Sequence, residues 1–148
     1  MLFLAYALSG GALLTGRVTP ALGLLIATGI LQAIAWVDQE RREGASDTTI
    51  ATATGLGNRG TVRPFEPPHT GSNYLTNEMV FRIGRKHANV LKAVSISLSV
   101  VLPVLFLLLP FHHLLAALAA LSHLAGVLVQ RWLFFAEARH VVGLYYER

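Results

Sequence analysis

Val90 to Leu109 reads VLKAVSISLSVVLPVLFLLL, and Lys92 is its single charge. A helix of about 20 such residues, rising about 1.5 Å per residue, matches a hydrocarbon core about 30 Å thick. After the turn Pro110, Phe111, His112, His113 comes a second run of this kind, about Leu114 to Phe135. Upstream stand two more, about Pro20 to Val37 and Met1 to about Leu14. All the charges but Arg17 are gathered from Asp38 to Lys92 and at the far end of the last run. Hydrophobic residues make up 53% of the chain and charged residues 14%, against about 25% charged in soluble domains. A water-facing surface cannot be built over so large an apolar content. The expected fold is all-α, a polytopic transmembrane helical bundle of about four spans. It forms one integral membrane domain over residues 1–148, with 38–77 as an extramembrane loop between the second and third spans.

The first run is short. About 14 residues reach roughly 21 Å, less than the hydrocarbon core. It has neither a basic n-region nor a small-residue cleavage site, so it does not read as a signal peptide. The simpler expectation is a chain that starts inside a helix, as a fragment or a misplaced start would. Cysteine is absent, which excludes disulfides, iron–sulfur clusters and thiolate metal sites made by this chain alone. The net charge of +4 and pI near 10 do not indicate nucleic acid, because Asp38, Glu40, Glu43, Asp47, Glu66 and Glu78 are interspersed among the basic residues.

Topology accounts for the charge. Counting spans from the N-terminus puts the Asp38 to Lys92 block and the C-terminal tail on one side. Near the span ends that side carries Arg41, Arg42, Arg82, Arg85, Lys86, Lys92, Arg131 and Arg139, and the other carries Arg17. The positive-inside rule makes the charged side cytoplasmic.

Gly44 to Gly60, rich in Ala, Ser, Thr and Gly, reads as flexible. Its Gly55, Gly57 and Gly60 have dinucleotide-binding spacing, but that site needs a following helix N-terminus, and the prolines of Thr61 to Pro68 argue against one. Val62 to Asn77 reads instead as an ordered loop lying on something: Phe65 and Tyr74 are aromatic, the Pro67 and Pro68 pair is stiff, and Gly71 permits a turn. Thr76 is a plausible N-cap, with Glu78 in the first turn, for a helix running into the third span. Small residues four apart, Ala5 and Ser9, Gly23 and Ala27, Ser95 and Ser99, Ser122 and Gly126, let membrane helices approach closely. Pro103 predicts a kink in the third span.

A haem held by this chain alone is not expected, because only His123 lies well inside a span and no facing partner exists. His112 and His113 read as interfacial turn residues, and His69 as an exposed loop residue. At 100° per residue, His123, Gln130, Glu137 and, less closely, His140 share one stripe of the fourth helix, while Arg131 and Arg139 project elsewhere. Two readings of that stripe stand. Ionisable groups in a bilayer mark functional sites, or else Arg131 snorkels at the interface and Trp132, Phe134, Phe135, Tyr145 and Tyr146 form an aromatic belt.

Two segments, Gln130 to Tyr146 (QRWLFFAEARHVVGLYY) and Pro67 to Ala88 (PPHTGSNYLTNEMVFRIGRKHA), resemble the membrane anchor subunit of dimethyl sulfoxide reductase-type molybdoenzymes, the DmsC type. They cover about a quarter of the chain. The resemblance implies the C-terminal half of an eight-helix, haem-free subunit in the inner (plasma) membrane of a bacterium or archaeon. It further implies quinol (menaquinol or ubiquinol) as electron donor in anaerobic respiration. Iron–sulfur clusters and molybdopterin would belong to partner subunits, one an electron-transfer protein and the other the catalytic subunit. Glu137, Arg131, His140, His123 and Gln130 are the candidate quinol-binding and proton-relay residues. Pro67, Pro68, His69, Tyr74, Arg82, Arg85 and Lys86 are candidates for docking the partner. The rival expectations are a non-redox membrane protein, such as a transporter half or an assembly factor, and a truncated inactive remnant.

Overall fold

Glycine, proline and hydroxyl side chains set the helix ends in the computed structural model, which describes residues 1–44, 49–63, 65–66, 86–110 and 112–137. Helix α1, Leu2–Leu14, closes where Thr15 donates its hydroxyl to the Ala12 carbonyl at 2.8 Å and Gly16 turns the chain at φ +69°. Helix α2, Val18–Gly44, starts with Pro20 in its first turn, where a missing N–H leaves no intrahelical bond unmade. It runs past the expected end at Val37, so Asp38 to Gly44, expected from the sequence to lie in the loop, belongs to α2. The Asp38 to Arg42 ion pair, one turn apart at 2.6 Å, suits this extension.

The Gly44 to Gly60 segment is more ordered than expected over its described part. Thr49 and Thr52 cap each other's backbone N–H, at 3.2 and 2.8 Å, to start a short helix α3, Ile50–Thr54. It ends at Gly55, φ +68°, and a 3-10 turn over Gly57–Arg59 follows. No helix follows Gly60 through Arg63, the last residue described before position 64, as the prolines led one to expect.

The third span is one rod in three parts: α4 (Ala88–Ile96), a π-turn (Ser97–Val101) and α5 (Leu102–Leu108). Pro103 explains the irregularity. It has no N–H for the Ser99 carbonyl four residues earlier, and the Leu102 N–H bonds Ser97 instead. The Leu98 and Ser99 carbonyls are thereby available to another helix. Helix α6, His113–Glu137, supplies donors for both, and its own start is capped by His112 Nδ1, which accepts the Leu114 N–H at 3.2 Å.

The α1–α2 hairpin packs against the pair formed by the third span and α6. Buried positions alternate four and three apart: Tyr6, Ser9, Leu13; Ala21, Leu25, Thr28, Gln32; Ala119, His123, Gly126, Gln130, Leu133. That spacing keeps one seam of each helix against its neighbours. The seam is polar over much of its length, whereas Ile26, Ile30, Ile34, Leu121, Leu124 and Leu128 face outward. Such a distribution suits lipid surroundings, where apolar side chains gain nothing by burial and small or polar ones join helices. Of the small-residue pairs, Ser95, Ser99 and Gly126 lie at the interface, while Gly23 and Ala27 face outward. An apolar plug of Leu13, Ala21, Leu25, Val100 and Ala119 closes the core toward the Arg17 end.

Candidate functional site

Opposite that plug, the bundle opens. A cavity of about 570 Å³ lies between the start of α1 (Met1, Leu2, Phe3), the later turns of α2 (Gln32, Ala35, Trp36, Asp38, Gln39, Arg42) and the last turns of α6 (Gln130, Leu133, Phe134, Glu137). Its position follows from heptad spacing: Gln32 and Gln39 on α2 stand seven residues apart, as do Gln130 and Glu137 on α6, so each pair projects from one face. The walls are largely apolar and aromatic, with polar groups at two depths.

At the inner depth the Tyr6 hydroxyl donates to Gln32 Oε1 at 3.1 Å. Gln130 is 5% exposed, and its Oε1 has no hydrogen-bond partner among the described residues. A buried acceptor of this kind costs about 1–3 kcal/mol until something donates to it. At the outer depth Glu137 is held by Lys92 Nζ at 3.1 Å and by Gln39 Nε2, which donates at 3.4 Å. Lys92 Nζ also reaches Glu40 Oε1 at 3.4 Å. Three helices are tied there by one ammonium group.

His123 lies deeper and outside the cavity lining. Its Nδ1–H donates to the freed Ser99 carbonyl at 2.6 Å, and Nε2 lies 3.3 Å from the Tyr6 carbonyl and 3.4 Å from Ser9 Oγ. Ser122 Oγ donates to the freed Leu98 carbonyl at 2.8 Å. Close approach makes both bonds reachable: a Cβ at Gly126 would lie 2.7 Å from Ser99 Cα. His123 is thus a helix-joining residue within the polar seam.

The stripe inferred from periodicity is present for His123, Gln130 and Glu137, and only the last two border the cavity. Arg131 points away, as periodicity required. Its guanidinium stacks 3.9 Å above the Phe3 ring, and its buried Nη1 has no partner among the described residues. His140 lies outside the described residues, as do Pro67, Pro68, His69, Tyr74, Thr76, Arg82 and Arg85. Lys86, the one docking candidate described, is exposed. Sequence reasoning missed Tyr6, Gln32, Gln39 and Trp36, and it took Lys92 for a charge at a span end. The heptad spacing of Gln32 and Gln39 was an available signal.

Three helices, Val18–Arg42, Ala88–Leu108 and His113–Glu137, are long and apolar enough to cross a bilayer, and Leu2–Leu14 is a shorter apolar helix. The class is therefore an all-helical protein of membrane type with a cavity at its charged end. The chain is similar to a sulfite dehydrogenase subunit from Allochromatium vinosum, with 32% identity over 105 residues. The alignment covers 68% of this chain and 31% of that protein, so the chain spans about a third of its relative's length. No family model matches the chain, and no solved structure matches it.

Proposed function

We propose that this chain is a membrane subunit of an oxidoreductase complex, and that its cavity takes a quinol or quinone headgroup. The likeness to a dehydrogenase subunit supports the broad reading; the dimethyl sulfoxide specificity gains nothing from it. The observation that carries the headgroup reading is the unpartnered Gln130 amide oxygen in a cavity walled also by Leu2, Phe3, Trp36, Leu133 and Phe134. A quinol hydroxyl supplies the donor it lacks. The same amide, through its NH₂, can donate to a quinone oxygen, so the site serves either half of the redox couple. Phe3, Trp36 and Phe134 offer aromatic faces to the ring. Glu137, at the outer depth, is the group on this chain suited to take or return a ring proton.

The chain has no cysteine with which to hold an iron–sulfur cluster. The electrons therefore pass to or from a partner iron–sulfur protein, which in turn serves a molybdopterin catalytic subunit. The charged end beside the cavity, on the cytoplasmic side of a plasma membrane, is where such a partner docks. In the complete complex, Glu137→Gln should lower quinol-coupled turnover about 100-fold, with activity toward an artificial dye near normal. Gln130→Leu should raise the KM for quinol with the dye activity unchanged. If both activities fall together and the soluble subunits leave the membrane, these residues serve docking. Unchanged quinol kinetics in both variants would refute the headgroup site.

A further inference from the structure

Oxidation of a quinol removes two electrons and two protons, and the protons need a route out of a protein whose core is closed on one side. We propose that Glu137, Lys92 and Glu40 form a proton relay joining the cavity to the charged end of the bundle, so that the substrate's protons are exchanged with that side only. This rests on the headgroup reading above.

The geometry supplies a continuous chain of exchanging groups. Glu137 borders the cavity with its side chain 12% exposed, Lys92 bridges at 3.1 and 3.4 Å with 14%, and Glu40 stands in the open at 67%. Gln39 steadies the inner carboxylate at 3.4 Å, and the nearby Asp38 and Arg42 pair with each other. A proton taken up by Glu137 is passed to Glu40 through the ammonium group, which gives one proton outward and regains one from within. The electrons leave separately to a one-electron iron–sulfur carrier of the partner; in the reverse direction the carrier supplies them and the relay runs inward.

The alternative route, along the seam toward Arg17, is interrupted. Tyr6 ends on Gln32, and the Ser9 and His123 side chains, 3.4 Å from each other, lead on only to the Tyr6 and Ser99 backbone carbonyls, which cannot pass protons on. Beyond them lies the apolar plug of Leu13, Ala21, Leu25, Val100 and Ala119.

The test uses the complete complex in liposomes of defined orientation, with a pH-sensitive dye trapped inside and quinol turnover followed in parallel. Protons should appear on the side that carries the Asp38 to Lys92 segment. Glu40→Gln should slow quinol turnover about 10-fold or more and raise its solvent isotope effect, Glu40→Asp should restore both, and dye-coupled activity should not change. Release on the opposite side, or a Glu40→Gln complex with the rate and isotope effect of the unaltered one, would overturn the relay. Absence of quinol turnover in the unaltered complex would instead remove the headgroup reading on which it rests.

Discussion

Replacing Gly126 by alanine adds one methyl group where helix α6 crosses the π-turn, 2.7 Å from both Ser99 Cα and Ser99 Cβ. Ordinary carbon contacts are about 3.5–4.0 Å, so α6 must withdraw by about 1 Å. The His123 Nδ1 to Ser99 carbonyl bond, now 2.6 Å, then opens to about 3.6 Å, beyond hydrogen-bond range. Overpacking of this kind costs about 1–3 kcal/mol, and an interhelical hydrogen bond in a membrane protein adds about 0.6 kcal/mol. The better helix propensity of alanine returns up to about 1 kcal/mol. A net loss of about 1–3 kcal/mol is expected. Gly23→Ala is the control, because a Cβ there meets nothing within 4 Å, and it should be neutral or slightly stabilising. Reversible unfolding of the purified protein in mixed micelles measures both. If Gly126→Ala proves as stable as Gly23→Ala, the close crossing of α6 and the third span is wrong.

Three further outcomes are expected. Pro103→Ala restores an N–H to the Ser99 carbonyl, so His123→Ala should be less costly in that background, with a coupling energy of about 0.6 kcal/mol in a double-mutant cycle; purely additive losses would refute the account of the π-turn. Cysteines introduced at Ser46 and after Arg148 should react with an impermeant reagent from the same side of the membrane, and labelling from opposite sides would rule out the shared face. Purified protein should show no b-type haem spectrum, because among the described residues no second histidine faces His123 from a neighbouring span; a stoichiometric Soret band would contradict the helix assignment.

The spans were legible because apolar length is a strong signal: the runs at Val90 to Leu109 and Leu114 to Phe135 differ from the observed helices by a few residues at each end. The polar stripe on α6 was legible because period alone fixes which residues share a face. What escaped was tertiary. Nothing local to Lys92 shows that it meets Glu40 and Glu137 on two other helices. The effect of Pro103 was foreseen as a kink, but the use of the freed carbonyls depends on Ser122 and His123 arriving from α6. Gln32 and Gln39 were passed over because the second span was read for apolar length and small residues, and not for polar residues seven apart. The second span was ended at Val37, where the apolar run stops, but α2 continues to Gly44, with Asp38 and Arg42 paired one turn apart along the extension.

The polar seam has a consequence for assembly. Small and apolar seams repeating every seven residues would let a helix slide against its neighbours by one heptad, about 10 Å, with little change in lipid contacts. Tyr6 against Gln32, His123 against Ser99, and Lys92 between Glu40 and Glu137 stand at different heights. Each works like a tooth of a key, engaging at a single register, and any slip would part all three from their partners. Residues that gather at the centre of this bundle therefore also set its alignment, and the cavity at its end exists only in that one register.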